Sequence, residues 1–214
     1  PWGVLNYSCA APWPAQAQSV PEARIKTILA MTPQYMAETG AWTKSAYDRM
    51  MAHIYGIQDK ATRDLVLDMV LKPESKAFNA KATQSFLASP AAGGRGHHYY
   101  PGGLPVHVLE WIEVAMAWAD AYERIYKVQK INRDMIVAAL VLHDWAKVWY
   151  EWDPVTATVK RPAWFPQAWG GDRGKAKWKW MGEHGAVAYA EMMVRGAADD
   201  LVVATAASHF DPHW

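Results

Sequence analysis

Adjacent His143 and Asp144 close the apolar run MIVAALVL (Met135 to Leu142), and single histidines stand at His107, His184 and His209 before and after them. Neutral imidazole and carboxylate are ligand types for iron, manganese, zinc or nickel. A cation offsets the cost of burying a carboxylate beside an apolar helix. Neighbouring helical residues point about 100° apart, so the pair can approach one cation from adjacent directions. Lys147 lies one turn beyond His143, where its ammonium can stand beside an anion held by a metal. The spacing of the remaining histidines puts them on other helices. The expected object is therefore a metal centre assembled inside a helical bundle.

A histidine ending an apolar helix also serves as a core or capping residue, with the aspartate solvated beside it. Context favours the metal. The segment HHYYPGGLPVHVLEW (His97 to Trp111), followed by INRDMIVAALVLHDWAKV (Ile131 to Val148), resembles the HD-domain superfamily of metal-dependent phosphohydrolases. Its hallmark is a His on one helix and His-Asp on the next, often continued as H-D-x-G-K. Here Ala146 takes the Gly position and Lys147 matches. GEHGAVAYAEMM supplies His184 and VVATAASHFDPHW supplies His209, so the likeness runs from about His97 to the C-terminus. The stretch Gly102 to His107 looks similar to the branch that includes the HD domain of certain bacterial 3′-to-5′ exoribonucleases.

The resemblance implies an all-α HD-type bundle and one or two divalent transition-metal ions. Manganese, iron, nickel and zinc are not distinguished by such ligands. The implied metal ligands are His107, His143, Asp144, His184 and His209, with Asp144 the candidate bridge between two ions. The implied reaction is phosphoester hydrolysis by a metal-activated water, on a small phosphorylated substrate or a nucleic-acid end. Asp144, Lys147 and His98 are the expected catalytic residues, and His97, His98, Tyr100, Lys147 and Arg173 the expected substrate contacts. Two alternatives stand beside it: a dinuclear-iron oxygenase cleaving a carbon bond with much the same ligands, and a non-catalytic binding or regulatory module with a degenerate site.

These residues need elements to hold them. The 214 residues, 51% of them hydrophobic, suffice for one good-sized core or a core with an appended lobe. From Pro21 to about Ala88 the pattern predicts short helices: PEARIKTILAM with Pro21 at its first position, SAYDRMMAHIYG closed by Gly56, and KATRDLVLDMVL capped by Asp59 and stopped before Pro73. His53 among them reads as a packing or surface residue. The glycine-rich SPAAGGRG (Ser89 to Gly96) predicts a loop leading to His97-His98. Leu109, Ile112, Met116, Ala119, Tyr122 and Tyr126 then follow helical spacing to about Lys127, turning His107 inward. Asn132 is placed to cap the helix that delivers His143 and Asp144.

Between Trp149 and Trp180 a Pro- and Gly-punctuated stretch carries Trp152, Trp164, Trp169 and Trp178, and predicts a packed flap that tolerates a small hairpin. Its interleaved Lys160, Arg161, Arg173, Lys175, Lys177 and Lys179 suit either phosphate and base contacts or a solvated loop with its tryptophans inserted in the domain. The expected division is an irregular lead over 1–20, an N-terminal helical region over 21–92 and the HD-type domain over 93–214.

Lys plus Arg number 22 and Asp plus Glu 21, a net charge of +1 that gives no global drive toward nucleic acid or anionic membrane. The single Cys9 excludes an intrachain disulfide and a thiolate metal cage, leaving a cytoplasmic or exported location equally open. No apolar run is long enough to span a membrane, and the spacing of motifs says nothing of oligomeric state. Asp211 is the only acidic residue after His209. Dinuclear relatives complete their site with an Asp on a later helix, so the expectation is a missing C-terminal segment and a site that holds one ion firmly and a second weakly.

Overall fold

The computed structural model describes residues 21–93, 96–127, 130–165 and 183–208. Contacts divide the chain into a unit ending at Met31 and a unit beginning at Thr32. In the first, α1 (Glu22–Leu29) buries none of its residues, and Pro21 sits just before its first turn rather than in it. The second unit carries α2 (Pro33–Thr39), α3 (Ala41–Tyr55), α4 (Lys60–Leu71), α5 (Gly103–Tyr126), α6 (Arg133–Leu142), a 3₁₀ turn (Trp145–Trp149), α7 (Glu183–Val194) and α8 (Asp199–Ala207). Its strands are two antiparallel hairpins of two and three residues, β1 (Glu74–Ser75) with β2 (Ala80–Lys81) and β3 (Glu151–Asp153) with β4 (Thr158–Lys160). The fold is all-α, as the periodicity predicts.

Local chemistry sets the helix starts. Thr32, Asp59 and Asn132 each accept a hydrogen bond from the amide three residues on, satisfying donors that the first turn leaves unpaired. Pro33 occupies the first turn of α2, where its missing amide costs nothing. α3 begins four residues ahead of the expected SAYDRMMAHIYG segment, and Gly56 ends it in right-handed geometry, φ −74° and ψ −13°, instead of a left-handed cap.

α5 is the central element. One side packs on α3 and another on α6, and α6 in turn packs on α8 and α4. The core is continuous through Val66 and Met69 of α4, Leu104, Val108 and Ile112 of α5, Val141 and Leu142 of α6, Val187, Ala188 and Met192 of α7, and Leu201 of α8. The start of α5 depends on two glycines. Gly102 has φ +83°, and a Cβ on Gly103 would stand 2.0 Å from the carbonyl oxygen of His98. This close approach presses the His97–Tyr100 loop onto the first turn of α5, where Ala91 N also bonds His98 O at 2.9 Å and Gly103 N bonds Tyr100 O at 2.9 Å.

Candidate metal centre

His107, in the second turn of α5, points into the core side of that helix and is buried, as its spacing predicts. His143 and Asp144 do not continue a regular helix together. α6 ends at Leu142, His143 caps it with helical dihedrals, and Asp144 breaks away at φ −110°, ψ 9° to start the 3₁₀ turn. The expectation of two adjacent directions from one α-helix is corrected to two directions from either side of a helix break. The break swings the carboxylate to the centre of a ring of donors.

Three imidazoles converge on that carboxylate. His107 Nε2 and His143 Nε2 stand 3.2 and 3.3 Å from Asp144 Oδ2, and His184 Nε2, brought by α7, stands 3.0 Å from Asp144 Oδ1. Lys147 Nζ donates to Asp144 Oδ2 from one 3₁₀ turn further on, in an i,i+3 relationship. The sequence places Lys147 one turn from His143 with its ammonium reserved for a bound anion. In the folded chain the ammonium pairs first with the carboxylate, because a buried cation needs a compensating charge.

Protonation follows from these contacts. Burial pushes the Asp144 carboxyl upward, but His143, Lys147 and the hydrogen bond from His107 outweigh it and hold the group well below the usual carboxylate range. Burial pushes His107 down to about 4 despite the opposing pull of Asp144. His143 Nδ1 lies 2.6 Å from the carbonyl oxygen of Leu140, which only accepts, so Nδ1 carries a proton and Nε2 is the nitrogen turned to Asp144. Tyr150 Oη lies 3.4 Å from His184 Nδ1 and orients the third ring. An anionic carboxylate ringed by three imidazole nitrogens suits a divalent cation between them, and the donor set fits such an ion. His107, His143 and Asp144 alone place one donor atom each within 4.8 Å of one another.

These groups line a cavity of about 420 Å³ shared with His97, Trp111, Leu140 and Ser208. His97 stacks toward His107 with ring centroids 4.6 Å apart, and burial together with Lys147 and His98 lowers its pKa. His98 stands outside the lining, its Nδ1 3.2 Å from His97 Nδ1 and its Nε2 3.2 Å from Glu110. Tyr100, half-exposed, is a further step out, its ring centroid 6.0 Å from that of His98. His97, His98 and His107 form a second group of donor atoms within 4.8 Å of one another. His53 pairs at 3.4 Å with Glu113, away from these residues. His209, Asp211 and Arg173, with Trp169, Trp178 and the lysines at 175, 177 and 179, lie outside the described residues. The small hairpin that the Trp-rich stretch tolerates is β3 with β4, and within it Lys160 pairs with Asp153 at 3.1 Å.

Several contributors gave no signal in the sequence. The Leu140 carbonyl and Tyr150 become second partners of ligand-type histidines only through the fold. Glu191 of α7, fully buried, accepts from Ser75 Oγ at 2.9 Å, Ala77 N at 3.0 Å and Arg195 Nε at 2.6 Å, and Arg195 also pairs with Asp68 of α4. That network ties the helix carrying His184 to α4 and the first hairpin. Trp111 alone could have been found, since it follows His107 by four residues on one helix face.

An all-α bundle whose buried His and His-Asp surround one carboxylate-centred cavity is an HD-type arrangement. Sequence comparison agrees: the chain is 30% identical over 97 residues to a dihydroneopterin 2′,3′-cyclic phosphate phosphodiesterase of Methanocaldococcus jannaschii, covering 45% of this chain and 39% of that protein. It is 34% identical over 84 residues to the 3′-5′ exoribonuclease YhaM of Listeria monocytogenes, covering 39% of this chain and 25% of that protein, and 36% identical over 78 residues to YhaM of a Geobacillus species, covering 36% and 22%. The chain is thus a relative of HD-domain phosphohydrolases, and it spans well under half the length of these curated relatives. No family model and no solved structure matches it.

Proposed function

We propose that this chain is the hydrolytic domain of a metal-dependent phosphoesterase acting on nucleotide or nucleic-acid-like substrates. The observation that carries the proposal is the convergence of His107, His143 and His184 within 3.3 Å of the two oxygens of Asp144 at the wall of a 420 Å³ cavity. His107, His143, Asp144 and His184 would hold the ion, with His209 as a further ligand by analogy to the motif. A divalent ion bound there supplies Lewis-acid polarisation of a phosphoryl oxygen and lowers the pKa of a water.

The chain's own residues do the rest. The water oxygen forms a bond to phosphorus as the ester P–O bond breaks, and the leaving oxygen needs a proton. His97 lines the cavity, and His98 lies one Nδ1–Nδ1 contact behind it, linked onward to Glu110. The pair would deliver that proton to the leaving oxygen and draw another through Glu110. Lys147, buried beside Asp144, would offset negative charge on the phosphoryl oxygens, Tyr100 would contact the substrate further out, and Arg173 remains a substrate contact on the strength of the sequence alone. Phosphoester cleavage in the names of both kinds of relative favours this reading over carbon-bond oxygenation and over a non-catalytic module.

The test is turnover of a 2′,3′-cyclic nucleotide, a short RNA and a generic phosphodiester by chelated protein reloaded with manganese, nickel, zinc or iron, in air and under nitrogen. Hydrolysis that is removed by chelator, indifferent to oxygen and lost in Asp144→Asn is expected. Oxygen consumption, or no phosphoester turnover with any of these metals, would overturn the proposal.

A further inference from the structure

α5 buries Leu104, Val108 and Ile112, yet its outer side is also apolar. Trp111, Val114, Trp118, Tyr122, Ile125 and Tyr126 are each between 42% and 63% exposed. At about 100° per residue they fall in one stripe along the outward face. With half-buried Ala121, the run 111, 114, 118, 121, 125 steps by three and four residues in alternation. That is the spacing of a helix that packs lengthwise against another helix. α3 and α6 pack on the inner sides of α5, and the stripe lies on the side that stays exposed.

The charges on α5 say what kind of partner fits. Four acids, Glu110, Glu113, Asp120 and Glu123, face one base, Arg124, which disfavours a polyanion or an anionic lipid surface. Glu113 is paired with Arg49, Asp120 and Glu123 are paired with Arg133, and Glu110 reaches His98 while remaining exposed. Arg124 has no ion pair among the described residues. Glu110, Ala117 and Arg124 occupy one flank of the stripe at intervals of seven, with opposite charges at the two ends and a small residue at the centre.

Such a row is complementary to itself when reversed. In an antiparallel pair of identical helices this flank faces its own copy, so Glu110 meets the partner's Arg124 twice over, about a two-fold axis. The same register lays Trp111 against the partner's Ala121 and Val114 against the partner's Trp118, large against small in each layer. We infer that α5 is a self-association surface on which two copies of this chain pair antiparallel, with Trp118 at its centre and reciprocal Glu110–Arg124 bridges at its ends. Trp111 also lines the cavity, so the pairing fixes one of that cavity's walls.

Sedimentation or light scattering of the full chain across the micromolar range, repeated with three variants, tests this. The unsubstituted chain should be a dimer that dissociates on dilution. Trp118→Glu, at a position 63% exposed and away from the cavity, should be a monomer with unchanged helical circular dichroism. Arg124→Glu places like charges together at both ends and should weaken the dimer about tenfold or more. Glu110→Arg combined with Arg124→Glu restores opposite charges and should recover the affinity. A monomeric parent chain, a Trp118→Glu dimer, or a double variant as weak as Arg124→Glu alone would each overturn the inference.

Discussion

Asp144 Oδ1 lies 3.0 Å from His184 Nε2, joining the break after α6 to α7 across the cavity. The other oxygen of the same carboxylate receives Lys147 and faces His107 and His143. One buried side chain therefore connects every part of the centre, and its removal has two separable effects.

Asp144→Asn should lower turnover more than about a hundredfold and abolish metal retention, measured by elemental analysis, because an amide cannot replace the ligand charge. It also leaves the Lys147 ammonium buried without its counter-charge, a change that costs about 3 kcal/mol of metal-free stability. Asp144→Asn with Lys147→Met should recover most of that stability in urea while staying inactive. If the double variant is no more stable than the single one, Lys147 is not held in place by Asp144.

Tyr150 is buried and touches His184 through Nδ1. Tyr150→Phe keeps the ring and removes only the hydroxyl. Metal affinity should fall about tenfold, with the helical spectrum unchanged, as for other partners that orient a ligating imidazole. Unaltered affinity in a competition titration against a chelator would assign Tyr150 to packing alone.

The metal-free protein should lose stability on mild acidification. His107 titrates at about 4 in the folded chain, below its ordinary value near 6.5. Between these pH values the unfolded chain binds a proton that the folded chain refuses, so stability falls as pH drops through this window, by up to about 3 kcal/mol from this group. Urea midpoints at pH 7, 5.5 and 4.5 should decline, and His107→Gln should flatten the decline. An equally steep profile in the variant would place the titration elsewhere.

Glu191 and Arg195 form a buried pair with additional hydrogen bonds to the first hairpin and α4. Glu191→Ala leaves the guanidinium with Asp68 as its remaining counter-charge and removes the acceptor of Ser75 Oγ and Ala77 N, and should destabilise the chain by about 2 to 3 kcal/mol. Because the pair holds the helix that carries His184, metal affinity should also weaken in whatever fraction remains folded. Thermal melting and metal titration of the variant check both effects. A melting temperature equal to the parent's would show that the pair adds nothing to the fold.

The sequence by itself determined the helices and the inventory of the site. Apolar spacing turned His107 inward on α5, Asn132 and Asp59 announced the starts of α6 and α4, and the run Met135 to Leu142 delivered His143 and Asp144 to the interior. These are properties of near neighbours, set by a 3.6-residue period and by unpaired amides at helix starts. Tertiary structure alone decided how the inventory was used. The helix break at Asp144, the pairing of Lys147 with that carboxylate, the Tyr150 hydroxyl at His184 and the Glu191–Arg195 network depend on segments distant in the chain being packed together. No local pattern encodes them, because a buried charge or donor takes whichever partner the packed core brings within reach, and that partner is fixed only when the elements meet.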